Sequence, residues 1–395
     1  MGSVNLDNTG SGSAITLSSD GTSLLLDGTA IGGGGGDPAL YADNASSAVT
    51  PIATGANAFS IGTNTTASNT SAIAIGADAV ASGYQSQAIG NQTDATATNS
   101  SALGVGAQAT ASNATAVGGA RAEASYSTAI GKTSSNSGSV AAIGAAAMAL
   151  NGYASGAASF AAAIDSNTST YGAQGTSCIA MGSLAKAWDG TATIAIGQNN
   201  VANSGSSIMG GKNNITTKNG AFIGGGDSNK VSSDYGRAGG RYAWSHAVEG
   251  KDSWSSGRFA ANGDSQAGTF VFRAATTNAT AKEMTTNGSA QSYTTLNVPN
   301  NSAFSFSGTI VARQKASEGT ASAAWKVEGL IRREGSAGTT VLVNSATTVL
   351  DNAPSWGMAL TANTTNGGLA ITVTGAAATN VRFVATIMTS EVTYA

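Results

Sequence analysis

From about residue 58 an aliphatic side chain followed by glycine returns at near-constant intervals. The pairs are Ile61-Gly62, Ile75-Gly76, Ile89-Gly90, Val105-Gly106, Val117-Gly118, Ile130-Gly131 and Ile143-Gly144. They resume at Met181-Gly182, Ile196-Gly197, Met209-Gly210, Ile223-Gly224 and, more weakly, Ala238-Gly239. Successive glycines lie 14, 14, 16, 12, 13 and 13 residues apart, then 38, then 15, 13, 14 and 15. Small residues alternate in between, as in Ala77-Asp78-Ala79-Val80-Ala81. In Ala72-Ile73-Ala74-Ile75-Gly76 a period of two sends the isoleucines to one face and the alanines to the other, as in a strand. About fourteen residues hold two short strands and two turns. Such a coil cannot bury its apolar face alone and must stack on its neighbours. We read Ile61, Ile75, Ile89, Val105, Val117, Ile130, Ile143, Ile196 and Ile223 as the structural core of that stack. The gap around Tyr153 to Tyr171 reads as degenerate coils or an insertion, with Ser159-Phe160-Ala161 near a coil position.

The flanking segments differ in texture. Residues 1–37 form a leader with short strands at Ala14-Ile15-Thr16-Leu17 and Leu24-Leu25-Leu26, separated by the turn signal Asp20-Gly21. The glycine run Gly32 to Gly36 opens a linker and entry segment over 38–57, and the repeat shaft is placed at 58–236. At 237–264 Arg237, Arg241, Tyr242, Trp244, His246, Trp254, Arg258 and Phe259 bring in aromatics and arginines. That segment reads as a cap or neck on the last coil, or as a sugar-binding rim. Residues 265–395 carry seven or more alternating strand-like runs, among them Thr269 to Phe272, Thr309 to Ala312 and Leu369 to Val373. Their spacing predicts an antiparallel β-sandwich, jelly-roll-like, so the whole chain is expected to be all-β.

Composition narrows the classes. Charged residues make up 10% of the 395, against roughly a quarter in ordinary soluble proteins. Disorder is disfavoured, because disordered chains are charge-rich and aliphatic-poor whereas 41% of this one is hydrophobic. A net charge of -3 argues against nucleic-acid binding by phosphate neutralisation. The lone Cys178 excludes an intrachain disulfide, and no metal or cofactor is expected. No secretory signal or membrane-spanning run is visible, so no membrane insertion is expected.

The Ile-Gly strand followed by alternating small residues resembles the head repeats of trimeric autotransporter adhesins, over about residues 58 to 250. The resemblance implies a left-handed parallel β-roll, a solenoid, in a homotrimer. A single thin roll would leave one apolar flank open to water along its length, and threefold association covers it. About fourteen coils at the ~4.8 Å strand spacing would extend ~65 Å. The C-terminal block resembles terminal domains of bacteriophage fibre and other virion surface proteins. The segments that carry this likeness begin at Arg273, Val327 and Leu360.

Chemistry has few candidates. His246 is the one histidine, and a lone histidine beside tryptophan is more often packed than catalytic; in a trimer, three copies could instead hold an ion on the axis. The carboxylates fall mostly in turn sequences, which turn chemistry explains. Trp325 alternates in register with Val327 and Ile331 and reads as core, whereas Trp356 follows Pro354 and reads as an exposed stacking platform. Lys326, Arg332 and Arg333 form a possible contact face or plain solvated surface. The expectation is a non-enzymatic virion fibre on the particle surface. Its N-terminus would bind other tail or capsid proteins, and its C-terminal domain would touch a host-cell glycan or protein. A secreted bacterial trimeric adhesin and a tailspike polysaccharide depolymerase are the alternatives. The adhesin needs a signal, a stalk and an anchor; the depolymerase needs clustered carboxylates.

Overall fold

The computed structural model describes residues 50–131, 141–142, 146–164, 170–351 and 356–394, together with four short strands in the first thirty residues. The chain divides into two compact units, Met1–Ala158 and Ser159–Ala395. The fold is all-β, with a β-solenoid of about 13 turns distributed over both units. Among the described residues the one helical turn is Ala337–Thr339.

In the first unit, Val4–Leu6, Ile15–Ser19, Leu24–Leu26 and Thr29–Ala30 form an antiparallel meander, with Leu6 opposite Ile15 and Leu17 opposite Leu26. The glycine run at 32–36 lies outside the described residues. The parallel ladder begins at Ile52–Ala53, paired with Thr66–Ala67, and so starts ahead of residue 58. Each coil contributes one three-residue strand and one two-residue strand to two separate parallel sheets. In the first sheet Ile61, Ile75, Ile89, Leu103, Val117, Ile130 and Leu150 stand in one column. In the second, Ala67, Ala81, Ala95, Ala109 and Ala122 do.

The turns explain the spacing. Asn57, Asn64, Ser71, Asp78, Gln85, Gln92 and Asn99 all have φ between 54° and 56°, one every seven residues. A coil is therefore two seven-residue halves, each closed by a left-handed residue, and asparagine, aspartate and glycine tolerate that region best. Gly106, at φ 70°, occupies the next such turn and does not follow a strand. The glycine that follows the strand is Gly104, because Leu103 pairs with Ile89 and Val117. The irregular steps of 16 and 12 thus resolve into two steps of 14, and Val105 is a solvent-facing turn residue, 69% exposed. The Ile143-Gly144 landmark lies outside the described residues. Ala141–Ala142 just before it pairs in the second sheet, with Arg121–Ala122, and not among the aliphatic strands.

The direction of the side chains corrects the expected core. Alanines fill the coil interior: Ala72, Ala74, Ala79, Ala81, Ala88, Ala95, Ala102, Ala109 and Ala116 have no exposed surface. Ile61, Ile75, Ile89, Val117 and Ile196 point outward and are partly buried. Ile130 is 42% exposed, and among the described members of the set Ile223 alone is fully buried. Alternation alone does not fix which face turns inward, and in the later coils larger apolar side chains, Ile208, Ile223 and Val231, do turn in. Close approach of successive coils also fixes the glycines. A Cβ on Gly76, at φ 123°, would stand 2.3 Å from the carbonyl oxygen of Gly90.

In the second unit Phe160–Ala162, Ile179–Met181, Ile194–Ile196, Ser207–Ile208, Phe222–Ile223, Arg237–Gly240 and Asp252–Ser255 stack in parallel. The ladder therefore continues through the segment read as a cap. Inside these coils the buried asparagines Asn200, Asn214 and Asn229 form a ladder. The Oδ1 of Asn200 accepts the Asn214 backbone N–H at 2.9 Å, and that of Asn214 accepts the Asn229 N–H at 3.0 Å. Buried amides satisfied in this way set the vertical register of the coils.

Nine strands complete the unit: β1 (Ser265–Thr276), β2 (Lys282–Glu283), β3 (Leu296–Asn297), β4 (Ser302–Gln314), β5 (Ser322–Arg333), β6 (Val341–Asp351), β7 (Gly357–Asn363), β8 (Gly368–Thr374) and β9 (Val381–Thr393). The larger antiparallel sheet runs β1-β9-β4-β5-β6. β1 pairs with the last coil strand, Asp252–Ser255, so the solenoid sheet passes directly into this one. The smaller sheet joins β2, β3 and β7 to β8. Strict alternation in β1 and β9 sends Phe270, Phe272, Phe383, Ala385 and Ile387 inward, where they share one core with Met284, Leu296, Ile371 and Val373 of the smaller sheet.

Candidate functional site

The last two parallel strands of the solenoid build a groove. Register places Phe222, Arg237 and Asp252 in one outward column, and Gly239 beside Trp254. Phe222, Arg237, Asp252 and Trp254 wall a cavity of about 420 Å³ floored by Gly224 to Gly226 and Gly239-Gly240. The indole of Trp254 lies over the glycine backbone: a Cβ on Gly239 would come within 2.8 Å of its ring. Trp254 nonetheless keeps 63% of its surface open. Arg237 sits 5.7 Å from the Phe222 ring centroid and 3.7 Å from the Asp252 carboxylate. An open aromatic plate flanked by a guanidinium and a carboxylate is suited to a sugar: ring C–H groups stack on the indole while hydroxyls bond to the charged pair.

A second arginine–aromatic cluster lies in the same segment. Arg258 and Arg241 stand 4.0 and 4.7 Å from the Tyr242 ring centroid. Asp227 faces Lys212 at 3.7 Å and Arg241 at 3.6 Å. Its carboxyl is held below the usual range, chiefly by the Ser228 hydroxyl. Asp264 is buried, which alone would raise its pKa, but the backbone N–H groups of Ala260, Ala261 and Phe259 lower it further than burial raises it. Neither carboxylate lines the groove.

Behind this segment lies a buried ion pair. Lys251 Nζ donates to Glu391 Oε2 at 2.6 Å, and the two side chains are 1% and 0% exposed. Gln266 Nε2 donates to the same oxygen at 2.7 Å, and the Thr389 hydroxyl donates to Oε1 at 2.7 Å. The pair ties the last coil to β9.

His246 turns inward within its own chain, 4.4 Å from the Trp244 ring centroid, with Nε2 3.2 Å from the Gly263 carbonyl oxygen. Burial, aided by the charge of Lys251, lowers its pKa to about 4. This is the packed reading of the lone histidine, with the ring held against Trp244 and Gly263 of its own chain. Trp356 corrects the expectation of an exposed platform: it is 7% exposed and packs 6.2 Å from Phe383 in the C-terminal core. Arg333 Nη1 donates to the carbonyl oxygens of Val298 and Gly367, so this guanidinium holds loops together. Lys326 and Arg332 remain exposed beside Glu328 and Glu334. Trp325 is core at 3% exposure, and Cys178 is buried.

The chain matches no protein family model and no curated protein. Among solved structures it is similar to the tailspike protein gp49 of Acinetobacter baumannii bacteriophage Fri1, a capsular polysaccharide depolymerase. The identity is 12% and the TM-score 0.22, over 55% of this chain and 40% of that one. That protein is an enzyme, so the expectation that this chain is not one is withdrawn. A likeness this distant assigns no activity of its own.

Proposed function

We propose that the chain is a virion surface protein of the fibre or tailspike class, acting as a homotrimer that attaches to a host-cell glycan. The observation that carries this reading is the inverted distribution of apolar groups. The coils bury alanine and leave larger side chains outside: Leu103 is 36% exposed, Met148 42% and Met181 38%. The outer face of the large C-terminal sheet repeats the arrangement, with Val271 56%, Val311 54% and Met388 57% exposed. Apolar stripes of this kind are covered by other copies in a working assembly. The resemblance of the repeats to adhesin heads supports three copies and a left-handed roll. Residues 1–37 are the segment assigned to other virion proteins, and the Trp254 groove is assigned to the glycan. Three grooves per trimer raise avidity through effective concentration.

A second reading, that the glycan is also cleaved, is favoured by Asp252, whose half-exposed carboxylate lines the groove beside Trp254. It supplies one of the two carboxylates such chemistry uses. One experiment addresses both. Labelled protein is incubated with a panel of encapsulated bacteria and with their extracted capsules. Adsorption to at least one strain, weakened roughly tenfold by Trp254→Ala at unchanged melting temperature, is the expected result. Shortened polysaccharide in the wild type, abolished by Asp252→Asn, would establish cleavage. Adsorption to none of the strains would refute attachment.

A further inference from the structure

We propose that the C-terminal sandwich carries a separate anion-selective site for the carboxylate or phosphate groups of an acidic surface polysaccharide. The site is at the end of its large sheet, distinct from the Trp254 groove, and the inference rests on the attachment reading above. A cavity of about 590 Å³ opens there, and Arg313, Lys315 and Arg382 line it with Thr277, Gln314 and Asn380.

The register shows why this cluster is unusual. Arg382 on β9 lies directly opposite Arg313 on β4, and on its other side opposite Ala275 of β1. Like charges opposed across an antiparallel pair destabilise it, because their Cβ atoms stand only about 5 Å apart. Two more cations adjoin them. Lys282 Nζ donates to the Ala275 carbonyl oxygen at 3.3 Å. Arg273 follows one outward position along β1 from Ala275, in register with Val384.

Compensation is thin. Among the described residues no ion pair involves Arg273, Lys282, Arg313 or Arg382; the Arg313 guanidinium donates instead to the Ala321 carbonyl oxygen at 3.2 Å. Among the described residues the ion pair at this cluster is that of Lys315 Nζ with Glu318, at 3.7 Å. Its oxygens accept the Asn380 backbone N–H at 2.9 Å and side-chain amide at 2.5 Å, which fixes the loop carrying Asn380. Asp351, also at this end of the sheet, is on β6, two strands away from Arg313. An excess of positive charge therefore converges on a concave surface, where low-dielectric walls focus the field. Arginine side chains bind carboxylate and phosphate through paired N–H donors. An anion seated there relieves the opposition of Arg313 and Arg382, and a polymer with regularly spaced charges engages all three protomers at once.

The test uses the full-length protein with polygalacturonate as the carboxylate polymer, polyphosphate as the phosphate polymer and dextran as the neutral control. Wild type is expected to bind one or both polyanions and to leave dextran unbound at this site. Arg313→Gln with Arg382→Gln should lower polyanion affinity at least about tenfold and flatten its logarithmic salt dependence by roughly the two lost contacts per site. Thermal melting should be unchanged or raised, since a like-charge pair is removed. The single Arg382→Lys keeps the charge and should retain most binding, which separates a site from a folding defect. Unaltered polyanion binding in the double variant, or no polyanion binding by wild type, overturns the proposal. So does a change of oligomeric state in the double variant, which would make the cavity an interface between copies. Adsorption to bacteria distinguishes this failure from that of the attachment reading: polyanion binding unaltered by the double substitution, with adsorption of the wild type intact, sinks this site alone.

Discussion

Glu391→Gln probes the joint between the last coil and the C-terminal sheets. It removes the charge facing Lys251 while keeping an acceptor for the amine and for Gln266. At 2.6 Å the pair's gross attraction is about 6 kcal/mol for an effective dielectric constant near 20, most of it offset by desolvating both ions. Deleting one partner only leaves a buried uncompensated ammonium, which typically costs about 3–5 kcal/mol. Lysine can escape by losing its proton. With an unfolded-state pKa near 10.4, that escape costs about 4.6 kcal/mol at pH 7 and about 0.5 kcal/mol at pH 10. The loss at pH 7 should therefore fall between about 3 and 4.6 kcal/mol. Burial already lowers the Lys251 pKa in the native protein, and removing Glu391 lowers it further. Across the window between that depressed value and ~10.4 the unfolded state binds the extra proton, so the variant regains stability as pH rises. Urea denaturation at pH 7 and 10, at fixed protomer concentration, reads both numbers. Lys251→Met combined with Glu391→Gln should recover most of the loss. A single variant that loses less than about 1 kcal/mol at pH 7, with no pH dependence, would refute the buried-pair argument.

His246 is held neutral with a pKa of about 4. Its contribution is complete above pH ~6.5 and is lost as pH falls towards 4, by at most about 3 kcal/mol. His246→Asn tolerates the positive φ of 48° and should flatten that part of the stability-versus-pH curve. Ala102→Leu forces a larger side chain into a coil interior with no free surface; a shift of the denaturant midpoint worth about 3 kcal/mol is expected. Ile75→Asp, Ile89→Asp and Ile130→Asp together act on the outer flank. Circular dichroism should show a folded chain, and sedimentation should show it no longer assembled.

The period of the coils was legible in the sequence because each half-coil needs a left-handed turn residue and each close coil contact needs glycine. Direction was not. Alternation tells that Ile73 and Ala74 face opposite ways, but which of the two faces turns into the coil is decided by packing against the opposite wall, which the local pattern does not encode. Val105-Gly106 misled because glycine serves both as a turn residue and after a strand, and the Leu103-Gly104 signal two residues earlier was weaker. Asn200, Asn214 and Asn229 offered a readable clue, asparagine returning at steps of 14 and 15. The segment at 237–264 was flagged by its composition as a cap, neck or rim, yet the groove itself depends on stacking Trp254 over Gly239. Trp356 misread as exposed because its partner, Phe383, is distant in sequence. The 140 residues between Lys251 and Glu391 hid their pairing for the same reason.

The mass of the assembled particle tests the central claim most directly. Light scattering on the purified protein at micromolar concentration should give about 115 kDa, three times the 38.4 kDa chain, because the outward aliphatic flank needs other copies to cover it. A stable species of 38.4 kDa under those conditions would contradict the account.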